Sequence, residues 1–346
     1  MNKKKIFWIV ISILISGLSI WAVIAQSASF SLEEFKTFIV ESDKRWVVGA
    51  ALCMFGYIGF EGVAVRRIAA AIGYKRSRIQ GTVYGAADVY FSAITPSASG
   101  GQPASAYFML QDDIPGTAVT VTLLVNLIMY TLALLFLGFI CSVFRFEIVL
   151  KMSTLSKVLI VVGSVVLIAL AVAFFLLLKK AEVFYKICNG FLRFFERIHI
   201  LSHHRCEKLC AKLNNTMAEY KECAETIYGK KKMLFDAFVL NVLQRLSQFF
   251  VAFFVFLAHD CGIKKAFDVL ITQCFVSLGS NCIPIPGSIG VADYIMLDGY
   301  ENIVGEELAT YLELLARGIS FYGCVVISAI IIIIAFVYNR IRRKKC

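Results

Sequence analysis

Six runs of about 20 apolar residues constrain this chain more than any other feature, since each, as a helix, could cross a hydrocarbon layer of about 30 Å. They are Ile6 to Ala25, Trp46 to Val65, Ala118 to Ile140, Val158 to Leu178, Met233 to Ala258 and Gly318 to Tyr338. With 59% of its 346 residues hydrophobic and 17% charged, the chain holds more apolar side chains than a soluble core could hide. A backbone inside lipid must satisfy its own hydrogen bonds, so the predicted fold is an all-α polytopic membrane protein. Lys3, Lys4 and Lys5 ahead of the first run resemble a secretory leader, but the run is longer than a leader's apolar stretch. An uncleaved first span is expected.

The net charge of +11 would point to nucleic acid in a soluble protein. Here the basic residues gather at span ends, which suits membrane topology and anionic headgroups, and no nucleic-acid partner is expected. The 11 cysteines lie mostly within apolar runs and are expected to be free. No cofactor and no metal is expected: His203, His204, Cys206 and Cys210 match no structural zinc spacing, and no phosphate-binding glycine loop is present.

Basic clusters place both termini on the cytoplasmic side of the membrane. Lys3 to Lys5, then Arg66, Arg67, Lys75, Arg76 and Arg78, then the segment 179–232, and finally Arg340 to Lys345 all read as inside. Glu33, Glu34, Glu41 and Asp43 read as outside, as do Asp298, Glu301, Glu306 and Glu307. These assignments conflict with a simple count of crossings unless the segments 81–111 and 266–298 each enter and leave on one side. Re-entrant hairpins satisfy them, with ordinary kinked spans as the alternative. The expected plan is then about six full spans and two hairpins in two halves of opposite orientation. The first half is 1–141, with a hairpin entering from the cytoplasm. The second is 157–346, with a hairpin entering from outside and the amphipathic cytoplasmic connector 179–232. Inverted repeats of this kind place discontinuous helices and a transport site near the bilayer midplane.

Polar residues inside these segments define the candidate site, because such positions are costly in lipid. Asp88, Ser92 and Thr95 share a helix face that leads to Pro96, Gly100 and Gly101. Gln273, Ser277, Ser280 and Asn281 repeat the arrangement before Pro284, Pro286, Gly287 and Gly290. Helices restarting after Gly101 and Gly290 would offer N–H groups and a positive dipole end to an anion, although close packing also selects small residues. Asn241, Gln244, Arg245 and Gln248 form a polar stripe on the fifth span. Arg317 on the last span is open to two roles, an ion pair with Glu313 one turn before it or phosphate binding, with Tyr322 following. No nucleophile and base pair stands out, so an enzyme is not expected; Asp88 and Asp293 are the carboxylates to test first.

Two motifs carry a resemblance to a known family. Tyr90-Phe-Ser-Ala-Ile-Thr-Pro-Ser-Ala-Ser-Gly-Gly-Gln-Pro-Ala-Ser-Ala-Tyr107-Phe and Pro284-Ile-Pro-Gly-Ser-Ile-Gly-Val-Ala-Asp293 resemble the lysylphosphatidylglycerol synthase transmembrane-region family, the flippase domain of multiple-peptide-resistance proteins. The resemblance covers nearly the whole chain. It implies passage of an anionic or aminoacylated phospholipid, a phosphatidylglycerol derivative, across the cytoplasmic membrane. It places Pro96, Gly100, Gly101, Gln102 and Tyr107 at the first turn, Pro286, Gly287, Gly290 and Asp293 at the second, and Arg317 on the last span. Gln102 stands where the family commonly has an acidic residue, Asp293 near a common Glu, and Ser288 where many members have Gly, which leaves the headgroup open. Bifunctional members add a soluble aminoacyltransferase domain, so this chain is not expected to catalyse that step alone; a role as membrane component of lysylphosphatidylglycerol synthesis beside a separate lipid-modifying enzyme is one alternative to translocation. A secondary transporter of a small anion is the alternative that the residues leave open.

Overall fold

The computed structural model describes residues 32–95, 98–197, 203–281 and 283–343; the predicted first span Ile6 to Ala25 and the turn residue Pro96 lie outside them. A short helix α1 (Leu32–Glu41) leads into α2 (Lys44–Ala71), which starts where the Asp43 carboxylate accepts from the Arg45 N–H at 2.9 Å. The first broken segment follows as α3 (Arg78–Ile94) and α4 (Gly101–Gln111), and α3 opens on a capping box between Ser77 and Gln80. Next come the long helices α5 (Gly116–Lys151) and α6 (Thr154–Lys179), then the connector helices α7 (Ala181–Arg197) and α8 (His203–Tyr228). The chain re-enters as α9 (Lys231–Ala258), and the second broken segment is α10 (Ile263–Ser280), a 3-10 turn at Pro286–Ser288, and α11 (Val291–Val304). The last span combines α12 (Glu306–Arg317), a π turn (Gly318–Gly323) and α13 (Cys324–Arg343).

Five stretches among the described residues are long and apolar enough to cross a bilayer: α2, α5, α6, α9 and Glu306–Val337. The outer surface agrees. Val158, Val161, Val165, Ile168 and Val172 stand exposed along α6, and Val326, Ile330, Ile333 and Val337 along α13, a belt that suits lipid and not water. The all-α polytopic membrane fold is therefore the one observed.

Both broken segments are pairs of helices packed on each other, not single kinked spans. Each limb is shorter than a crossing: the 17 residues of α3 reach about 26 Å at about 1.5 Å per residue. Two boundaries differ from expectation. α5 continues past Ile140 to Lys151, bending at Arg145 (φ −143°, ψ 41°), whose guanidinium pairs with Glu147 at 3.1 Å and with Asp268 on α10. The last span starts at Glu306 rather than Gly318. Hydropathy picks out only its uniformly apolar half, whereas α12 is amphipathic, with Glu306 and Glu307 in its first turn, where the helix dipole favours acids.

α2 and α9 pack together along the centre of the bundle. The α3/α4 hairpin lies against α2 and α13, and the α10/α11 hairpin against α9, α5 and α6, so each hairpin touches the long helix that follows the other one. Gly62 on α2 meets Gly81 and Gly85 on α3 so closely that a β-carbon on Gly62 or Gly85 would overlap the facing backbone. That approach brings the α3 face carrying Asp88 to the bundle interior. The connector helices α7 and α8 pack on each other, and α8 docks on α5 and α6 through Tyr220, Ala224 and Ile227.

Candidate functional site

The two hairpins and the helices α2, α5, α6, α9 and α12 enclose a cavity of about 420 Å³. Of the residues singled out from sequence, Asp88, Ser92, Gln102, Gln244, Arg245, Gln273, Gly287 and Arg317 all line it, as do Ser277, Ser280 and Asn281. Side chains from both hairpins thus meet in one space, although their turns lie far apart in sequence. Leu167, Leu170 and Phe174 on α6 supply an apolar wall.

Arg245 is the principal cation of the cavity. It is 4% exposed, it donates to the Tyr57 hydroxyl at 2.8 Å and to Gln248 Oε1 at 2.9 Å, and it stacks against the rings of Tyr130 and Tyr57 at 4.4 and 5.0 Å. Its Nε has no hydrogen-bond partner, and among the described residues no carboxylate lies within 4.0 Å of the guanidinium. A buried guanidinium held by neutral groups thus keeps donor capacity to spare.

Sequence reasoning passes over the residues that face Arg245. Glu61 on α2 is 2% exposed and accepts from Asn126 Nδ2 at 2.6 Å, and Asn126 accepts from Asn241 at 3.2 Å. The signal is present, because a Glu in the middle of an apolar run always needs a partner or a function. Tyr57, Tyr130 and Asn126 also line the cavity, and the Tyr130 hydroxyl donates to Asn281 Oδ1 at 2.9 Å, tying α5 to the end of α10.

Arg317 is engaged differently. Its Nε lies 2.7 Å from Asp293 Oδ1, it donates to the Gly287 carbonyl at 2.9 Å, and its guanidinium stacks on Phe321 at 4.7 Å. Glu313, the alternative partner, is buried with neither oxygen hydrogen-bonded.

The helix start behind the second turn, expected to offer its N–H groups to an anion, is capped by the protein's own acid. Asp293 Oδ2 accepts from the Gly290 N–H at 2.8 Å, at the start of α11. At the start of α4, Asp88 accepts from Gln102 Nε2 at 3.2 Å, and a β-carbon on Gly101 would overlap both Asp88 Oδ1 and Ser92 Oγ. A carboxylate at a helix N-terminus satisfies orphan N–H groups and the dipole together.

Thr95, Tyr107, Tyr322, Pro284 and Gly290 are not among the residues that line the cavity. Thr95 stitches the first turn, donating to Phe91 O at 2.6 Å and accepting from Gly100 N at 2.8 Å. Tyr107 is 48% exposed beside Phe108, Tyr322 is edge-on to Phe321, and Pro284 and Gly290 are exposed at the second turn. Pro286 lies in the 3-10 turn.

Comparison with known proteins gives two kinds of match. High affinity copper uptake protein 1 of Sus scrofa is 29% identical over 112 residues, 32% of this chain and 57% of that protein. The Homo sapiens protein of the same name is 29% identical over 108 residues, 31% of this chain and 54% of that protein. The chain thus spans little more than half the length of these curated relatives. The other match is to the family described as the lysylphosphatidylglycerol synthase TM region, and it covers residues 9–328. That range takes in both hairpins, the central pair α2 and α9, and the whole cavity, so the chain belongs to the lysylphosphatidylglycerol synthase transmembrane-region family.

Proposed function

We propose that this multi-pass membrane protein translocates an anionic or aminoacylated phospholipid, of the phosphatidylglycerol type, between leaflets of a bacterial cytoplasmic membrane. The observation that carries the reading is Arg245: a buried guanidinium without a carboxylate partner among the described residues, in a cavity lined by polar groups from both hairpins and by apolar side chains of α6. A headgroup phosphate pairs with Arg245 while acyl chains stay toward α6, whose outer face is lipid-like. Each half of the chain, 1–141 and 157–346, supplies one hairpin, and opposite orientation of the halves would let the site face either leaflet in turn. Both termini and the 179–232 connector lie in the cytoplasm on this reading. Family membership supports a lipid-related role. The copper uptake proteins share only a third of this chain at 29% identity, which assigns no cargo.

The test is reconstitution into proteoliposomes carrying fluorescent phosphatidylglycerol, lysyl-phosphatidylglycerol or phosphatidylcholine, with leaflet exchange read by dithionite quenching. Faster exchange of the phosphatidylglycerol lipids than of phosphatidylcholine is expected. Uptake of small soluble anions with no lipid exchange would favour the alternative, an anion transporter.

A further inference from the structure

The cavity holds a polar cluster that anion binding leaves unused. Asn126 Nδ2 donates to Glu61 Oε1, Asn241 Nδ2 donates to Asn126 and to the Ala237 carbonyl at 2.9 Å, and Gln244 lies beside the same Glu61 carboxylate. The donors in this chain of amides are engaged, and the leftovers are acceptors. Asn241 Oδ1 and Gln244 Oε1, on residues 1% and 2% exposed, have no donor among the described residues. Carbonyl oxygens sealed from water without a partner are unfavourable, and two such oxygens in the same amide cluster as a carboxylate supply the kind of oxygen donors that a hard cation takes.

Charge bookkeeping points the same way. Glu61 on α2 and Asp88 on α3 face Arg245 on α9, and each is close enough to feel the others' charge. The second cation, Arg317, is already matched by Asp293. When both carboxylates are ionised, two negative charges stand against one guanidinium, which leaves room for one further positive charge in a setting where unmatched charge is costly.

We propose that Glu61, Asn126, Asn241 and Gln244 form a binding site for a small monovalent metal cation, of the Na+ class, that sets the availability of Arg245. The inference rests on reading the cavity as an anion site. With the cation site empty, Arg245 is the nearest counter-charge to Glu61 and Asp88. With the site filled, the amides turn their oxygens to the ion, Glu61 is neutralised by it, and Arg245 is released to the phosphate. Cation and anion then strengthen each other's binding by the same factor. The site joins α2, α5 and α9, so its occupancy also ties the helix packed against the first hairpin to the one packed against the second.

The direct test is equilibrium binding of radiolabelled Na+ to the purified full chain in detergent, without added lipid, with K+ and choline as competitors and pH varied at constant ionic strength. Saturable binding that choline does not displace is expected. It should weaken by at least about tenfold in Glu61→Gln and in Gln244→Leu, and remain unchanged in Tyr107→Ala, which lies outside the cavity. Gln244→Leu keeps the test in reach should Glu61→Gln fail to fold. The proposal is overturned by absence of saturable Na+ binding in the folded wild type, by equal binding in the folded Glu61→Gln or Gln244→Leu protein, or by proton uptake at the cluster that Na+ does not compete with. Because this measurement involves no lipid movement, its failure leaves the leaflet-exchange result standing. A silent exchange assay with Na+ binding intact would strike only the lipid reading.

Discussion

Arg317 reaches across the turn of the second hairpin to Asp293, Nε to Oδ1 at 2.7 Å, rather than to Glu313 one turn behind it on its own helix. Asp293 also caps α11 through the Gly290 N–H, and Arg317 also binds the Gly287 carbonyl, so a single ion pair fastens the last span to both sides of the turn. Both side chains are nearly sealed, at 12% and 5% exposure.

Breaking such a pair from one side leaves an uncompensated buried charge, which costs about 3–5 kcal/mol. Asp293→Asn or Arg317→Gln should each lower thermal stability in detergent by an amount in that range. The double variant should lose clearly less than the sum of the two, because neither charge is then stranded. Additive losses in this cycle would show that the pair is not an energetic unit.

Gly101 gives a second prediction. Its α-carbon sits against Asp88 and Ser92, so Gly101→Ala forces the turn and the first limb apart and should destabilise by about 1–3 kcal/mol. At Gly59, on α2, a β-carbon would have no neighbour within 4 Å, and Gly59→Ala should be neutral or stabilising by up to about 1 kcal/mol. Equal effects at the two glycines would contradict the close approach.

His259, just beyond the end of α9, predicts the acid response. It stacks on Phe38 with ring centroids 3.5 Å apart and shares a 2.7 Å hydrogen bond with Ser42, and burial lowers its pKa from 6.5 to about 4. The unfolded chain therefore binds a proton that the folded protein refuses between those values, and stability is lost as pH falls from about 6.5 toward 4. Melting curves of wild type should fall across that window, and His259→Gln should flatten the slope. An unchanged slope in the variant would assign the acid response to other groups.

Much of this arrangement can be read from residues alone, and the parts that cannot have physical causes. Pro and Gly interruptions at 96–103 and 284–290 announce the hairpins because proline and glycine disrupt helices wherever they stand. The stripe from Asn241 to Gln248 announces Arg245, since a polar face on a span must point inward. Arg317 is harder: helical spacing favours Glu313, and only packing shows that Asp293, on another helix, is nearer. The helix start at Gly290 looks like an open anion site in sequence, although Asp293 stands three residues on, and only the structure shows that its carboxylate turns back to the Gly290 N–H. Glu61 is legible as a charge in a span, yet the apolar run around it hides it.

The central claim is that Arg245 receives the phosphate of a moving lipid, and one measurement tests it most directly: leaflet exchange of fluorescent phosphatidylglycerol in proteoliposomes, wild type against Arg245→Gln. A charge-assisted contact of about 1.5–3 kcal/mol predicts a loss of roughly ten- to hundredfold in exchange at subsaturating lipid, with the variant folded and inserted at wild-type yield. Exchange by Arg245→Gln at the wild-type rate would contradict the account.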